Sequence, residues 1–547
     1  MRKTISHLLP LSIIALIVSF LLYFDKGIMI GTDNAFYMDL AYLISHGQRF
    51  LVDFFDYRLP VFPLIVSALY RFNLGDFANV FLILEGVFLL YIYTVYFISL
   101  SITRSKTISF IVSILLFLSV TARAFDPFKN ICVPLFHHTI ELISVFILYK
   151  ILFDNENIHS WGKAAVLALI AGSLFGLAFI GRQTQAFPGI FIFCYFAWKI
   201  FKGKDDVIRG YNHISLLIPF TSGFILAGVC ILLCFYVPGV NFFYLLKKWL
   251  IDMPMIIYPG LSSITHVFLR LISIIIFGLP DFRNINLPLI WITYVFLIIL
   301  FTKTFIIKDN IKSKIIEYYL NNRKSIILIA LTGMMALTSV LPTGLTGSRQ
   351  ESGFFTFFSL LLAFLLVKND IFNRKASIRI IFIVLLFIIP SFLFFAKNEI
   401  RSYVASFNNI HTEQFNIKLS KALNKEIGDH NEVVLVLGGA PPIARLVRYK
   451  PFMGQLNDCA LYVLPKFYHD PDFDNKLYDK LKEVKLAYKL PDYPNLEFVR
   501  ENTTNAVYNL IEQYLQNNFT RVETIIPENN SFSNYRNSAI IYKRRNQ

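Results

Sequence analysis

The chain is poor in charge. Only 16% of its 547 residues are Asp, Glu, Lys or Arg, whereas an ordinary soluble domain carries about a quarter. Acids are scarcer than bases, 36 against 52, which leaves a formal net charge of +16. Cysteine is also scarce. Cys132, Cys194, Cys230, Cys234 and Cys459 show no framework spacing, so neither a disulfide scaffold nor a thiolate metal site emerges. No internal repeat is visible. The stretch "GGAPPIARLVRYKP" lacks both the G-x-G-x-x-G order and a Gly-Lys-Ser/Thr ending, so it is no phosphate fingerprint.

Apolar residues fill the place of the missing charge. They make up 55% of the chain, and 16% is aromatic. Apolar runs near 20 residues recur, the length needed to cross a hydrocarbon core of roughly 30 Å. Spanning helices are expected near 8–24, 77–102, 107–124, 133–153, 163–181, 185–201, 213–236, 287–306, 325–341, 352–367 and 378–396. The bases concentrate in the short loops between these runs, including Arg104, Lys106, Lys150, Lys163, Lys202, Lys312, Arg323 and Lys368. That is the positive-inside pattern, which fixes topology; it argues against a nucleic-acid partner. The N-terminus is then cytoplasmic and the C-terminus extracytoplasmic. Residues 264–279 are also apolar enough to span, so the expected count is about 11 to 13 helices. The first run is of full spanning length with no small-x-small cleavage site after it, so it reads as a retained helix.

The composition changes near residue 397. "NEVVLVLGG" reads as a buried strand, "TTNAVYNLIEQYLQNN" as an amphipathic helix and "SAIIYKR" as a late strand. The fold class expected is therefore a polytopic α-helical membrane protein, 1–396, with a soluble α/β domain, 397–547, on the outer side.

An acidic cluster follows the first apolar run. The first outer loop, 25–76, carries Asp33, Asp39, Asp53 and Asp56. Within it, "NAFYMDLAYLISHG" places Phe36, Leu40, Leu43 and Ile44 at helical spacing, with Gly47 as a stop. That predicts a helix lying on the membrane surface. Two readings fit Asp33: an N-cap of that helix, or a general base for a hydroxyl at the membrane surface. Tyr37, four residues on, shares its face. Two readings also fit "DYRLP": Asp56 and Arg58 form a local surface pair, or Arg58 binds a phosphate through its planar donors. Asp126, Arg182, Gln183 and Arg349 occupy other loops of the outer side, where each is a solvated loop residue or part of one site. Asp39 and Asp53 read as ordinary solvated acids. His137, His138 and Glu141 fall within an expected spanning helix, where ionisable residues are costly. His138 and Glu141 are weak metal candidates, because no full ligand set is visible.

These residues resemble the GT-C class of polytopic glycosyltransferases, in particular the bacterial family 39 branch. That branch includes protein O-mannosyltransferase-like enzymes and the aminoarabinose transferase of lipid A. The resemblance rests on Asp33, Tyr37, Ala41, Gly47 and "DYRLP" in the first outer loop, with Arg182 before the sixth expected helix. The pattern departs in having Asp33-Asn34 where protein mannosyltransferases have Asp-Glu. The resemblance implies a bacterial inner-membrane enzyme, a polyprenyl-phosphate-linked sugar as donor and a lipid, glycan or protein hydroxyl as acceptor. It implies Asp33 as base, with Arg58, Arg182 and Arg349 on the phosphate. A divalent metal ion can share that phosphate charge, though the sequence does not demand one. The alternatives are a transporter or flippase of a lipid-linked sugar and a polymerase or ligase of surface polysaccharide. Against transport stand the absent repeat and the placement of the informative charges at the outer edge.

Overall fold

The computed structural model describes residues 33–49, 61–72, 77–124, 132–153, 160–181, 207–208, 211–234, 311–340, 352–368, 411–428, 432–437, 449–454, 472–489, 502–525 and 539–545, with isolated positions between them. The chain divides into two compact units. One comprises Met1–Phe20, Leu82–Cys234 and Gly260–Glu399; the other comprises Leu21–Phe81, Phe235–Pro259 and Ile400–Gln547. The expected spans at 8–24, 185–201, 287–306 and 378–396, and the segment 264–279, lie wholly or mostly outside the described residues.

Two short helices open the chain's described part, α1 (Asp33–Ser45) and α2 (Val61–Arg71). Long apolar helices follow: α3 (Phe77–Thr103), α4 (Lys106–Ala124), α5 (Cys132–Phe153), α6 (Trp161–Gly181) and α7 (Leu217–Cys234). A two-residue strand pair, β1 (Val207–Ile208) with β2 (Tyr211–Asn212), precedes α7. Beyond it come α8 (Ile311–Val340) and α9 (Ser352–Lys368). Among the described residues, Trp161–Gly181 and Ile214–Ile231 are long and apolar enough to cross a membrane. The basic stretch before residue 325, expected as a loop, is instead helical. Nothing between Ile311 and Gly333 breaks a helix, since the stretch holds neither Pro nor Gly. The helix α8 therefore runs for 30 residues, about 45 Å at the usual rise.

The helical unit packs by close approach. Ala164, Ala168, Gly172 and Gly176 stand four apart along α6, so they form one small-residue stripe. A β-carbon at Gly172 would collide with the carbonyl of Phe220 on α7, and one at Gly223 with the carbonyl of Leu169. At Gly176 it would lie 2.7 Å from the Phe224 oxygen. The Ser173 hydroxyl crosses the seam to the Gly223 carbonyl at 3.2 Å. Around this seam lies a core of Tyr91, Val95, Val112, Leu142, Val145, Phe175, Phe220, Leu328 and Leu362. The turn between α3 and α4 is tight. Arg104 takes φ 53, a left-handed conformation uncommon for a residue with a side chain. Ser105 caps α4, its hydroxyl accepting from the Ile108 amide.

The other unit contains α1 and α2, packed together, and a five-stranded sheet. The strands are β3 (Val433–Leu437), β4 (Lys450–Pro451), β5 (Leu486–Lys489), β6 (Phe519–Ile525) and β7 (Ala539–Arg544), in the order β4-β3-β5-β7-β6. Strands β4, β3 and β5 are parallel, while β7 is antiparallel to β5 and β6. A parallel neighbour needs a crossover, which fits the helix α11 (Phe473–Leu481) before β5; α10 (His411–Glu426) precedes β3 and α12 (Asn502–Asn518) precedes β6. Strand side chains alternate between faces. Val434, Val436, Leu486, Tyr488 and Ile541 share a core with Leu419 and Leu423 of α10. Leu435, Leu437 and Ala487 are buried on the opposite face.

Candidate functional site

The helix α1 starts at Asp33, the position that the sequence singles out. Helix N-termini favour negative charge, so an Asp suits this place with or without a catalytic role. Tyr37, one turn along, is buried at 5% exposure. The far end closes as the sequence predicts. Gly47 takes φ 80, the Gly47 amide bonds the Ile44 carbonyl, and the Gln48 amide bonds the Leu43 carbonyl at 3.1 Å. This pair of bonds is the Schellman motif, and a left-handed C′ residue is usually Gly. The expected apolar face is present: Leu40, Leu43 and Ile44 are buried. It packs within the protein, alongside Val61, Phe62 and Val66 of α2, also buried.

Asp56, Arg58, Asp126, Arg182, Gln183 and Arg349 lie outside the described residues, as does the side chain of Asp33. Of the sequence-derived site, the structure thus places Asp33 at a helix start and Tyr37 one turn along in the same helix.

Asp39 requires a correction. The sequence reading makes it a solvated acid, yet it is 3% exposed. Its charge acts on two buried tyrosines, Tyr488 of β5 and Tyr449 just before β4, whose hydroxyls are 3.5 Å apart. Burial, first of all, holds both phenols well above the usual tyrosine pKa; the Asp39 carboxylate adds to the effect on each. For Tyr449 the bond with Tyr488 works the other way, but burial outweighs it. A sequence signal was available: Asp39 falls between Phe36 and Leu43 on the apolar stripe of α1, so a helix burying that stripe buries Asp39 too.

In the helical unit, α5 buries His137, His138 and Glu141 together, Glu141 completely. The His138 ring lies 5.8 Å from that of Tyr91, centroid to centroid. Tyr91 in turn bonds Thr356 of α9 at 2.5 Å. The His137 ring fills the space where Gly181 would carry a side chain, at the C-terminal end of α6 and one residue before Arg182. Among the described residues, no group of three or more His, Cys, Asp or Glu side chains is arranged to hold a metal.

No protein-family model matches the chain, and no curated protein matches it in sequence. Solved structures do. The chain superposes on the archaeal oligosaccharyltransferase AglB from Archaeoglobus fulgidus, solved in complex with an inhibitory peptide and a dolichol-phosphate. The TM-score is 0.50 at 11% identity, over 95% of this chain and 72% of that one. A second similar structure is ArnT from Cupriavidus metallidurans bound to undecaprenyl phosphate, with a TM-score of 0.43 at 10% identity, covering 97% and 98% of the two chains. The fold is therefore GT-C-like. At such identity the likeness is one of fold, and it does not by itself fix donor, acceptor or reaction.

Proposed function

We propose that the chain is a polytopic membrane glycosyltransferase that moves a monosaccharide from a polyprenyl-phosphate donor to a hydroxyl acceptor at the outer face of the membrane. The observation that carries this reading is the GT-C-like fold over 95% of the chain, joined to a helix that begins at Asp33, just after the first apolar run. AglB was solved with a dolichol-phosphate, and a lipid phosphate of that kind suits an apolar chain with Arg58, Arg182 and Arg349 in its outer loops. The donor's tail lies in the bilayer and its sugar phosphate at the surface.

In this reaction Asp33 accepts the proton of the acceptor hydroxyl. The oxygen attacks C1 of the sugar, the bond from C1 to the phosphate oxygen breaks, and the anomeric centre inverts. Polyprenyl phosphate leaves as an anion, so it needs charge stabilisation more than a proton. Arg58, Arg182 and Arg349 supply that charge, with Asp56 orienting Arg58. Tyr37, Asp126 and Gln183 help to hold the sugar or the acceptor. The domain 397–547 is extracytoplasmic, and the membrane has about 11 to 13 crossings.

The test uses purified protein in lipid with a radiolabelled polyprenyl-phosphate sugar and a panel of lipid, glycan and peptide hydroxyl acceptors. Label should pass to one acceptor class while free polyprenyl phosphate accumulates. Intact donor appearing on the opposite leaflet, with no cleavage, would replace this reading by the flippase.

A further inference from the structure

Helix α5 holds α6 at its final residue. Gly181 ends α6, and a β-carbon there would overlap the His137 ring of α5. His137 is itself buried, so its ring lies against the glycine backbone with no room for a side chain between them. The preceding residue, Ile180, is buried as well, and a β-carbon at Gly228 of α7 would lie 3.4 Å from its Cδ1. Further along α5, the Ser144 hydroxyl donates to the Ala171 carbonyl of α6 at 2.7 Å. His137 and Ser144 share one face of α5, because a spacing of seven residues is close to two turns. Helix α6 is thus fastened to α5 at Ala171 and again at Gly181. The three helices belong to one compact unit.

Helix ends tend to fray, since the last four carbonyls lack partners within the helix. A fastening at the last residue fixes the direction in which the chain leaves. The residue that follows is Arg182, one of the three arginines proposed for the donor phosphate. The planar donors of an arginine meet a phosphate in a defined geometry only when the element carrying them is held. Filling space beside a glycine does not itself require an imidazole. An ionisable side chain in a spanning helix is costly, and such residues mark functional places.

From this packing we infer that His137 is a positioning residue of the lipid-phosphate site: its ring, seated on Gly181, sets the end of α6 and so the place of Arg182. The inference rests on the phosphate role proposed for Arg182. Gly181 is the complement of His137, because any larger residue there displaces the ring or the helix end.

The test uses the full chain in lipid nanodiscs. Free polyprenyl phosphate is the probe of binding, and the labelled polyprenyl-phosphate sugar is the probe of transfer. The variants are His137→Ala, Gly181→Ala and Arg182→Ala, with each of the first two also combined with the third. His137→Ala and Gly181→Ala should each raise the Kd for polyprenyl phosphate about tenfold or more, as for a displaced binding group. Transfer at low donor should fall in parallel. In the Arg182→Ala background neither change should alter Kd by more than about twofold, since the residue they place is gone. Leu142→Ala is the control for a purely structural effect. Leu142 is buried in the core on the same helix, so its truncation should lower thermal stability and leave Kd unchanged. Should Gly181→Ala fail to fold, His137→Ala, which only removes atoms, carries the test. An unchanged Kd in His137→Ala, full additivity with Arg182→Ala, or an equal loss in Leu142→Ala would overturn the inference. If the wild type binds polyprenyl phosphate but transfers no sugar, the proposed function fails, and the binding measurements still decide the role of His137. If the wild type binds no polyprenyl phosphate, both fail.

Discussion

The seam between α6 and α7 and the C-terminal sheet solve the same packing problem in opposite ways. In the seam, side chains are removed. Gly172, Gly176 and Gly223 bring two backbones together, and Ser173 bridges them. In the sheet, side chains are supplied. Val434, Leu435, Val436, Leu486 and Ile541 fill both faces, and exposed ion pairs lie at the end of α11. The difference follows from solvent. Lipid is as apolar as a leucine side chain, so helices in it gain little by burying leucine; they gain by fitting closely. Water rewards each buried apolar group. A close small-residue seam is what the proposed membrane reading expects of α6 and α7.

The comparison can be broken most severely in the seam. Gly172→Leu puts a side chain into the backbone of Phe220, which cannot move aside. It should destabilise the helical unit by more than about 4 kcal/mol, read by unfolding titration in micelles, with little effect on the sheet. Leu435→Ala tests the other strategy. It leaves a cavity in the sheet and should cost about 3 kcal/mol, read by the loss of β3 exchange protection while α6 stays protected.

A smaller effect is expected at alkaline pH. Below the ordinary tyrosine value of 10.0, Tyr449 and Tyr488 are neutral whether folded or unfolded. Above it the unfolded chain releases protons that the folded chain retains. Stability of the sheet unit should therefore fall as pH rises past 10.0, by up to about 1.4 kcal/mol per pH unit for each tyrosine. Tyr488→Phe should reduce that slope in pH-dependent urea titrations. The smallest effect is expected at the end of α11. Lys480 pairs with Glu483, but their side chains are 54% and 51% exposed. Lys480→Ala should change stability by less than about 0.5 kcal/mol, and added salt should make that smaller still.

The sequence was most legible where the signal is local. The apolar runs near 77–102, 107–124 and 133–153 correspond to α3, α4 and α5 within a residue or two. The strand "VVLVL" and the Gly47 stop are also found, because β-branched runs and a left-handed Gly need only their neighbours. Three features were less legible. Helix α8 starts 14 residues before the expected span, since charged residues lower hydropathy without breaking a helix. The stripe Ala164, Ala168, Gly172 and Gly176 is written plainly in the sequence, but its partner, Gly223 on α7, is set by the fold. Asp39 was read as solvated because its charge outweighed its place on the apolar stripe of α1, whose burial is a tertiary property. For the candidate site, a general base can be marked by its position after a spanning run. The convergence of Arg58, Arg182 and Arg349 is a tertiary property, and no local pattern carries it.

The central claim is that Asp33 takes the acceptor proton during transfer from a lipid-phosphate sugar. The most direct measurement is single-turnover transfer of labelled sugar by the wild type and by Asp33→Asn, both saturated with donor and matched for thermal unfolding. The account predicts transfer by the wild type and a loss on the order of 1,000-fold or more in the variant, with donor binding retained. Equal rates in the two proteins would contradict it.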